Sequence, residues 1–219
     1  MWSSRYKLID KELTVINNFL DSDSCNILKN TLRSIVIEDK NTPNIYYADL
    51  GFANGIDASK FFETGFFSSG DFEEVDTLLK NTILKIKNKV ENFFGEKLDL
   101  FHFCYHIILP GGYQELHSDS TDLNGDPTGI NGTHEPQEYS ALLYLGESNK
   151  DYIGGELSFP NQKLRLSNKI GDLVIFRGNH EYPHEVYPVK KGIRDSIVLF
   201  FCKTENNKPI SITNVVTKK

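Results

Sequence analysis

Cysteine is scarce in this sequence, with three residues among 219, and methionine and tryptophan occur once each. Cys25, Cys104 and Cys202 are odd in number, widely spaced and set in apolar surroundings such as "FHFCYHIIL" and "VLFFCK", which excludes a disulfide scaffold and predicts reduced core residues. No stretch approaches the roughly 18 apolar residues of a membrane-spanning helix. The opening residues, Met1 to Lys7, lack the continuous apolar segment of a secretory signal, so the expected location is cytoplasmic, with no membrane partner. Asn131-Gly132-Thr133 fits the glycosylation pattern and, without such a signal, reads as a chance match. Basic excess is missing too: 24 Lys and Arg face 30 Asp and Glu, a formal net charge of −6, which argues against a surface built for phosphate backbones and hence against a nucleic-acid partner. No internal repeat is present.

What is there is ordinary for a folded domain, 39% hydrophobic and 25% charged residues, and residues 1–219 are read as one domain. Residues 1–97 form a support of helices and strands, and 98–205 form a β-rich core. Asp21-Ser22-Asp23-Ser24 offers N-caps to a helix over 22–36, whose apolar stripe is Cys25, Ile27, Leu28, Leu32 and Ile35. Val75, Leu78, Leu79, Ile83, Ile86, Val90 and Phe93 recur at three- and four-residue steps, predicting a longer helix over 71–94 that Gly95 stops. Residues 39–70, rich in aromatics with Pro43 and several glycines, read as short strands and loops whose rings pack the core or line a cleft. From Leu98 on, runs such as "YSALLYLG", "DLVIF" and "RDSIVLFFC" alternate with turn residues and predict six or seven antiparallel strands of a sandwich or barrel. Residues 118–138 are too long and polar for a simple turn and form a candidate lid.

His117-Ser118-Asp119 places an imidazole and a carboxylate two residues apart on an extended segment, where both project from one face. That pattern alone is common as a structural pair. His184 then opens a strand, and Arg194 follows ten residues later, after Gly192, at the start of the next; adjacent antiparallel strands can bring both to one inner face. Two imidazoles and one carboxylate make the facial triad of non-haem Fe(II) oxygenases, although zinc hydrolases accept the same ligand types. Arg194 favours iron, because a dicarboxylate chelating the metal at one end supplies a partner for a buried guanidinium at the other.

His117-Ser118-Asp119, the strand Leu142-Leu143-Tyr144-Leu145-Gly146, "GGELSFP" at 154–160, "KIGDLVIF" at 169–176 and His184-x-Val186-x-Pro188-Val189-x-x-Gly192-x-Arg194 follow one another in order. With these motifs the region from Phe101 to Cys202 resembles the prolyl 4-hydroxylase-like family of 2-oxoglutarate/Fe(II) dioxygenases. The resemblance implies a mostly β fold with flanking helices: a double-stranded β-helix, or jelly roll, supported on its outer face by N-terminal α-helices. It implies iron ligands His117, Asp119 and His184, and Arg194 and Tyr144 as the residues binding the distal carboxylate of 2-oxoglutarate. It also implies conversion of 2-oxoglutarate and O2 to succinate and CO2 with hydroxylation of a C–H bond, and ascorbate as a candidate reductant. A prolyl residue in a peptide or protein is the leading substrate, followed by a free amino acid or other small molecule. The chain departs from the family at Ile108, where a Tyr is common and Tyr105 and His106 stand nearby, and at Leu157, where Thr is common. Nucleic-acid-demethylating relatives carry a second Arg where this chain has Phe200.

Other polar residues have plainer readings. His180 rivals His184 as the distal ligand but lacks the string leading to Arg194, so it is placed at the surface or behind the site. His102 and His106 share a strand face as satisfied core histidines or substrate contacts. The acidic turn at Asp122 to Asp126 fails the calcium-loop spacing, and Lys163, Arg165 and Lys169 are exposed strand charges. The alternative class is a jelly-roll metal-binding module or cupin-like isomerase without oxygenase chemistry.

Overall fold

The computed structural model describes residues 6–35, 37–38, 44–52, 73–126 and 137–204. Along the chain run β1 (Tyr6–Asp10), β2 (Leu13–Ile16), α1 (Ser22–Leu32), β3 (Ile37–Glu38), β4 (Ile45–Phe52), α2 (Glu73–Phe94), β5 (Leu98–Ile108), β6 (Gln114–His117), β7 (Tyr139–Tyr144), β8 (Tyr152–Gly154), β9 (Leu157–Phe159), β10 (Leu164–Leu166), β11 (Leu173–Arg177), β12 (His184–Val186), β13 (Val189–Gly192) and β14 (Arg194–Lys203). An eight-stranded sheet has the order β1-β2-β11-β7-β14-β5-β4-β3, a four-stranded sheet the order β10-β9-β12-β6, and β13 pairs with β8. The architecture is the expected jelly roll, with α1 and α2 on its outer face.

The central strands β7 and β11 of the large sheet are buried on both faces, so they read as near-continuous apolar runs. In β7, Ala141 and Leu143 join a core shared with the helices, whereas Leu142 and Tyr144 join a second core between the sheets. In β11, Leu173 and Ile175 take the first face, and Val174 and Phe176 the second. This is the two-residue alternation of a pleated strand with a hydrophobic layer on each side.

Asp21 caps α1 by accepting from Ser24 N at 2.8 Å, and Cys25, Leu28 and Leu32 form its buried stripe. The predicted helix over 22–36 ends earlier, at Leu32, and continues as a 3₁₀ turn over Arg33–Ile35. Among the described residues of α2 the buried hydrophobic ones are Leu79, Ile83, Ile86 and Val90, at steps of four, three and four. Gly95 ends it at φ +71°, a backbone state that favours glycine, and donates to Glu91 O at 2.8 Å. Each fully buried aliphatic side chain contributes on the order of 1.5–3 kcal/mol, so these stripes fix the helices on the sheet.

The core from Leu98 on holds more strands than the six or seven predicted, because β6 and β8 are too short to show a period and the chain after His184 divides into β12 and β13. The N-terminal region adds β1, β2, β3 and β4 to the two edges of the large sheet. Of residues 39–70, only 44–52 lie within the described residues; most of that aromatic segment, the 131–133 motif and part of the 118–138 loop lie outside them. Among the described residues no helix is long and apolar enough to cross a membrane. All three cysteines are buried and none forms a disulfide; burial pushes the thiol of Cys25 up to about 12 and that of Cys202 up to about 11.

A charged clamp fastens α1 to the sheet. Asp195, fully buried, accepts from Arg33 Nε at 2.8 Å, from Arg33 Nη2 at 2.6 Å and from the Tyr105 hydroxyl at 2.5 Å. The hydrogen bonds from Arg33 to Asp195 raise the guanidinium pKa further, while burial and then Asp195 raise that of the Tyr105 phenol. Removing the cation leaves a carboxylate buried without its charge partner. Arg33→Ala is therefore expected to cost about 3 kcal/mol in urea unfolding; a loss below about 1 kcal/mol would mean that water replaces the guanidinium.

Candidate metal and carboxylate site

His117 ends β6, and His184 opens the neighbouring β12 directly across from it. Their rings lie 4.4 Å apart between centroids. Asp119 stands beyond the strand end, and its Oδ1 is 3.7 Å from His117 Nε2 and 3.6 Å from His184 Nε2. Ligand atoms of the three residues lie within 4.8 Å of one another, close enough to hold one metal ion. Among the described residues this is the group of His, Cys, Asp and Glu that could do so.

Neighbouring groups orient each member. His117 Nδ1 is 2.7 Å from Glu115 O, and His184 Nδ1 is 3.2 Å from Tyr182 O. Protons held on Nδ1 by these carbonyls leave both Nε2 lone pairs directed at the shared space. Burial lowers the His184 pKa, with His117 acting the same way and Asp119 opposing, so the neutral imidazole that a metal requires is favoured. Phe176 and Phe159 pack against His184 at 4.7 and 5.7 Å between ring centroids, walling it from water. Asp119 is tied to the large sheet: its N donates to Gly178 O at 2.8 Å, and Ser140 Oγ donates to its Oδ2 at 2.5 Å. One carboxylate oxygen is thereby held by the protein, and Oδ1 faces the imidazoles. A Cβ on Gly178 would stand 3.0 Å from Asp119 Cβ and 3.1 Å from Gln137 O, so a side chain there would press on Asp119.

Arg194, 1% exposed, opens β14 and lines the same cavity as the three residues. Its Nε donates to Gly155 O at 3.0 Å and its Nη1 to Ser196 Oγ at 3.2 Å. Arg194 Nη2 and the Tyr144 hydroxyl are both buried without a hydrogen-bond partner. The guanidinium lies 5.2 Å from the Tyr144 ring centroid. Burial raises the Tyr144 phenol pKa, so it stays a protonated donor. The motif beginning Gly154-Gly155 now has a physical reason. A Cβ on Gly155, which sits at φ +64°, would meet Val189 Cγ2 at 2.9 Å and Arg194 Cδ at 3.0 Å.

Five expected residues thus meet, by a route that differs in one respect. His184 and Arg194 are not on adjacent strands of one sheet: β13 intervenes, His184 belongs to the four-stranded sheet and Arg194 to the eight-stranded one. The chain crosses between sheets there, and the two side chains face each other across the interior. His180 is exposed and stays outside the cluster, against Gly125. His102 stacks on Phe200 at 5.7 Å, and His106 lines the cavity. Asp122 accepts backbone N–H groups of Asn124 and Asp126 as a local turn. The described start of the 118–138 loop is pinned, with Ser118 Oγ donating to Thr121 O at 2.7 Å. Ser140 and Gly178 went unnoticed in the sequence, because neither residue type signals a role until the fold brings it to Asp119.

Residues 102–202 match the family model of the 2OG-Fe(II) oxygenase superfamily. This β core resembles those oxygenases. Human prolyl 3-hydroxylase 3 is 31% identical over 131 residues, covering 56% of this chain and 16% of that protein, so the chain spans only a small part of its length. Similar folds occur in the viral collagen prolyl hydroxylase of Paramecium Bursaria Chlorella virus-1 in its 2OG complex, with TM-score 0.58, 18% identity and coverage of 92% of this chain and 97% of that one. A prolyl hydroxylase of Trichoplax adhaerens, in complex with a hypoxia inducible factor peptide fragment, has TM-score 0.57 and 16% identity, with 92% and 87% coverage. The oxygenase pairing of Fe(II) and 2-oxoglutarate fits the residues present. Two Nε2 atoms and a carboxylate oxygen suit Fe(II), and the unpartnered Arg194 Nη2 and Tyr144 hydroxyl suit a carboxylate beside it.

Loss of a group that orients a metal ligand typically weakens metal affinity 10- to 100-fold. Ser140→Ala is expected to weaken Mn(II) binding by a factor of about that size, read by isothermal titration. Wild-type affinity in that variant would show that the hydroxyl does not hold Asp119 for the ion.

Proposed function

We propose that this chain is an Fe(II)- and 2-oxoglutarate-dependent dioxygenase that hydroxylates a C–H bond, with a prolyl residue of a peptide or protein as its substrate. The observation that carries the reading is the pair of unpartnered buried donors, Arg194 Nη2, which lines a cavity shared with His117, Asp119 and His184, and the Tyr144 hydroxyl beside it. Orphaned buried donors of this kind are costly unless a ligand satisfies them, and a dicarboxylate reaching from metal to guanidinium does so. A bare metal-binding module gives no account of them.

In this reading His117, Asp119 and His184 hold the iron, and Arg194 with Tyr144 holds the distal carboxylate. When bound, Fe(II) and 2-oxoglutarate supply the oxidising chemistry that turns 2-oxoglutarate and O2 into succinate and CO2 and hydroxylates the substrate. The protein's work is positioning. Ser140 and Gly178 fix Asp119, the carbonyls of Glu115 and Tyr182 set the histidine tautomers, and Phe159 and Phe176 keep water from His184. The prolyl substrate is supported by the names of the relatives, and Phe200, where nucleic-acid-demethylating relatives carry a second arginine, argues against a nucleic-acid substrate.

Anaerobic addition of Fe(II) and 2-oxoglutarate to the protein is expected to give the weak visible charge-transfer band of their chelate, and His184→Ala to lose it. No band from the wild type would overturn the reading. Arg194→Ala is expected to raise the KM for 2-oxoglutarate about 10- to 100-fold, the cost of a charge-assisted hydrogen bond of roughly 1.5–3 kcal/mol. An unchanged KM would remove Arg194 from this role. Succinate release stimulated by proline-containing peptides and not by matched alanine peptides tests the substrate class.

A further inference from the structure

We propose that His106 is a third side chain binding the distal carboxylate, alongside Arg194 and Tyr144; this rests on the 2-oxoglutarate reading above. His106 on β5 is in register with Ser196 on β14, and Ser196 is in register with Tyr144 on β7. Residues in register on neighbouring antiparallel strands point to the same face, with Cβ atoms about 5 Å apart. Tyr144, Ser196 and His106 therefore form one row across the inner face of the large sheet. Arg194 lies along that row, its Nη1 on Ser196 Oγ at 3.2 Å. Ser196 and Tyr144 stand next to Arg194 on this face, and His106 lines the same cavity as Arg194, His117 and Asp119.

The ring is held in place. His106 Nε2 is 3.2 Å from Cys104 Sγ, two residues back on the same strand face, which restricts its rotation. An oriented imidazole can donate an N–H to an anionic oxygen, a bond stronger than one between neutral groups. The neighbours are not available for this task. Tyr105 points to the opposite face, where its hydroxyl donates to Asp195 in the clamp with Arg33. Ile108 is buried and apolar, and His102, four residues from His106, stacks on Phe200. Of the residues around Ile108, His106 is the one whose polar ring reaches the cavity.

The test is an anaerobic titration of 2-oxoglutarate into Fe(II)-loaded protein, followed by the charge-transfer band, for wild type, His106→Phe and His106→Gln. His106→Phe is expected to raise the 2-oxoglutarate Kd about tenfold, the cost of one charge-assisted hydrogen bond, and His106→Gln to recover much of it. The Mn(II) affinity and thermal midpoint of both variants are expected to match wild type, which separates a lost contact from a damaged fold. An unchanged Kd in His106→Phe, with a normal wild-type titration, overturns the role of His106 and leaves the oxygenase reading standing. Absence of any 2-oxoglutarate binding by the wild type overturns both.

Discussion

A guanidinium taken almost wholly out of water is expensive to keep, since desolvation of an ion costs several kcal/mol even after relaxation. Arg194 is 1% exposed, and much of the inner structure serves to accommodate it. Gly155 turns at positive φ and gives up its Cβ, so that its carbonyl can accept from Nε and the Arg194 stem can pass. Ser196 takes Nη1. Among the described residues no carboxylate completes the set, and Nη2 has no hydrogen-bond partner.

The same interior explains how the metal ligands can be precise on irregular chain. His117 and His184 come from paired strands of the small sheet, whereas Asp119, past the end of β6, takes its position from Ser140 and Gly178 on the large sheet. The trio therefore spans both layers and exists only when they pack. Behind it, Asp195 points away from the cavity into the Arg33 and Tyr105 clamp. Adjacent residues of β14 thus carry opposite charges to opposite faces, one toward the cavity and one toward a helix. Both are held by the same strand, so helix docking and the cavity wall share a foundation.

Much of this was legible beforehand. The three- and four-residue steps in α2, the cap of α1 and the stop at Gly95 are local signals, and they translated directly into structure. The ordered motifs around His117, Tyr144, Gly154, His184 and Arg194 pointed to one site because each must lie near the others for any of them to make chemical sense. The short strands β6 and β8, and an N-terminal hairpin joining a sheet whose other strands lie far along the chain, gave no such signal.

Residue types, their periods and their spacings along the chain determined the two helices, an antiparallel sandwich or barrel, and His117, Asp119, His184 and Arg194 as candidates, because these depend on local conformation and on the chemical identity of side chains; the jelly-roll class and Tyr144 followed from the resemblance carried by the ordered motifs. Tertiary structure alone decided that His184 and Arg194 face each other from different sheets. It also decided that Ser140 and Gly178 aim Asp119, that Tyr105 turns away, and that His106 joins the row of Ser196 and Tyr144. Those outcomes rest on strand register and on which sheet a strand enters. Both are set by the burial of side chains from distant parts of the chain, and a one-residue shift in register would turn each side chain to the opposite face.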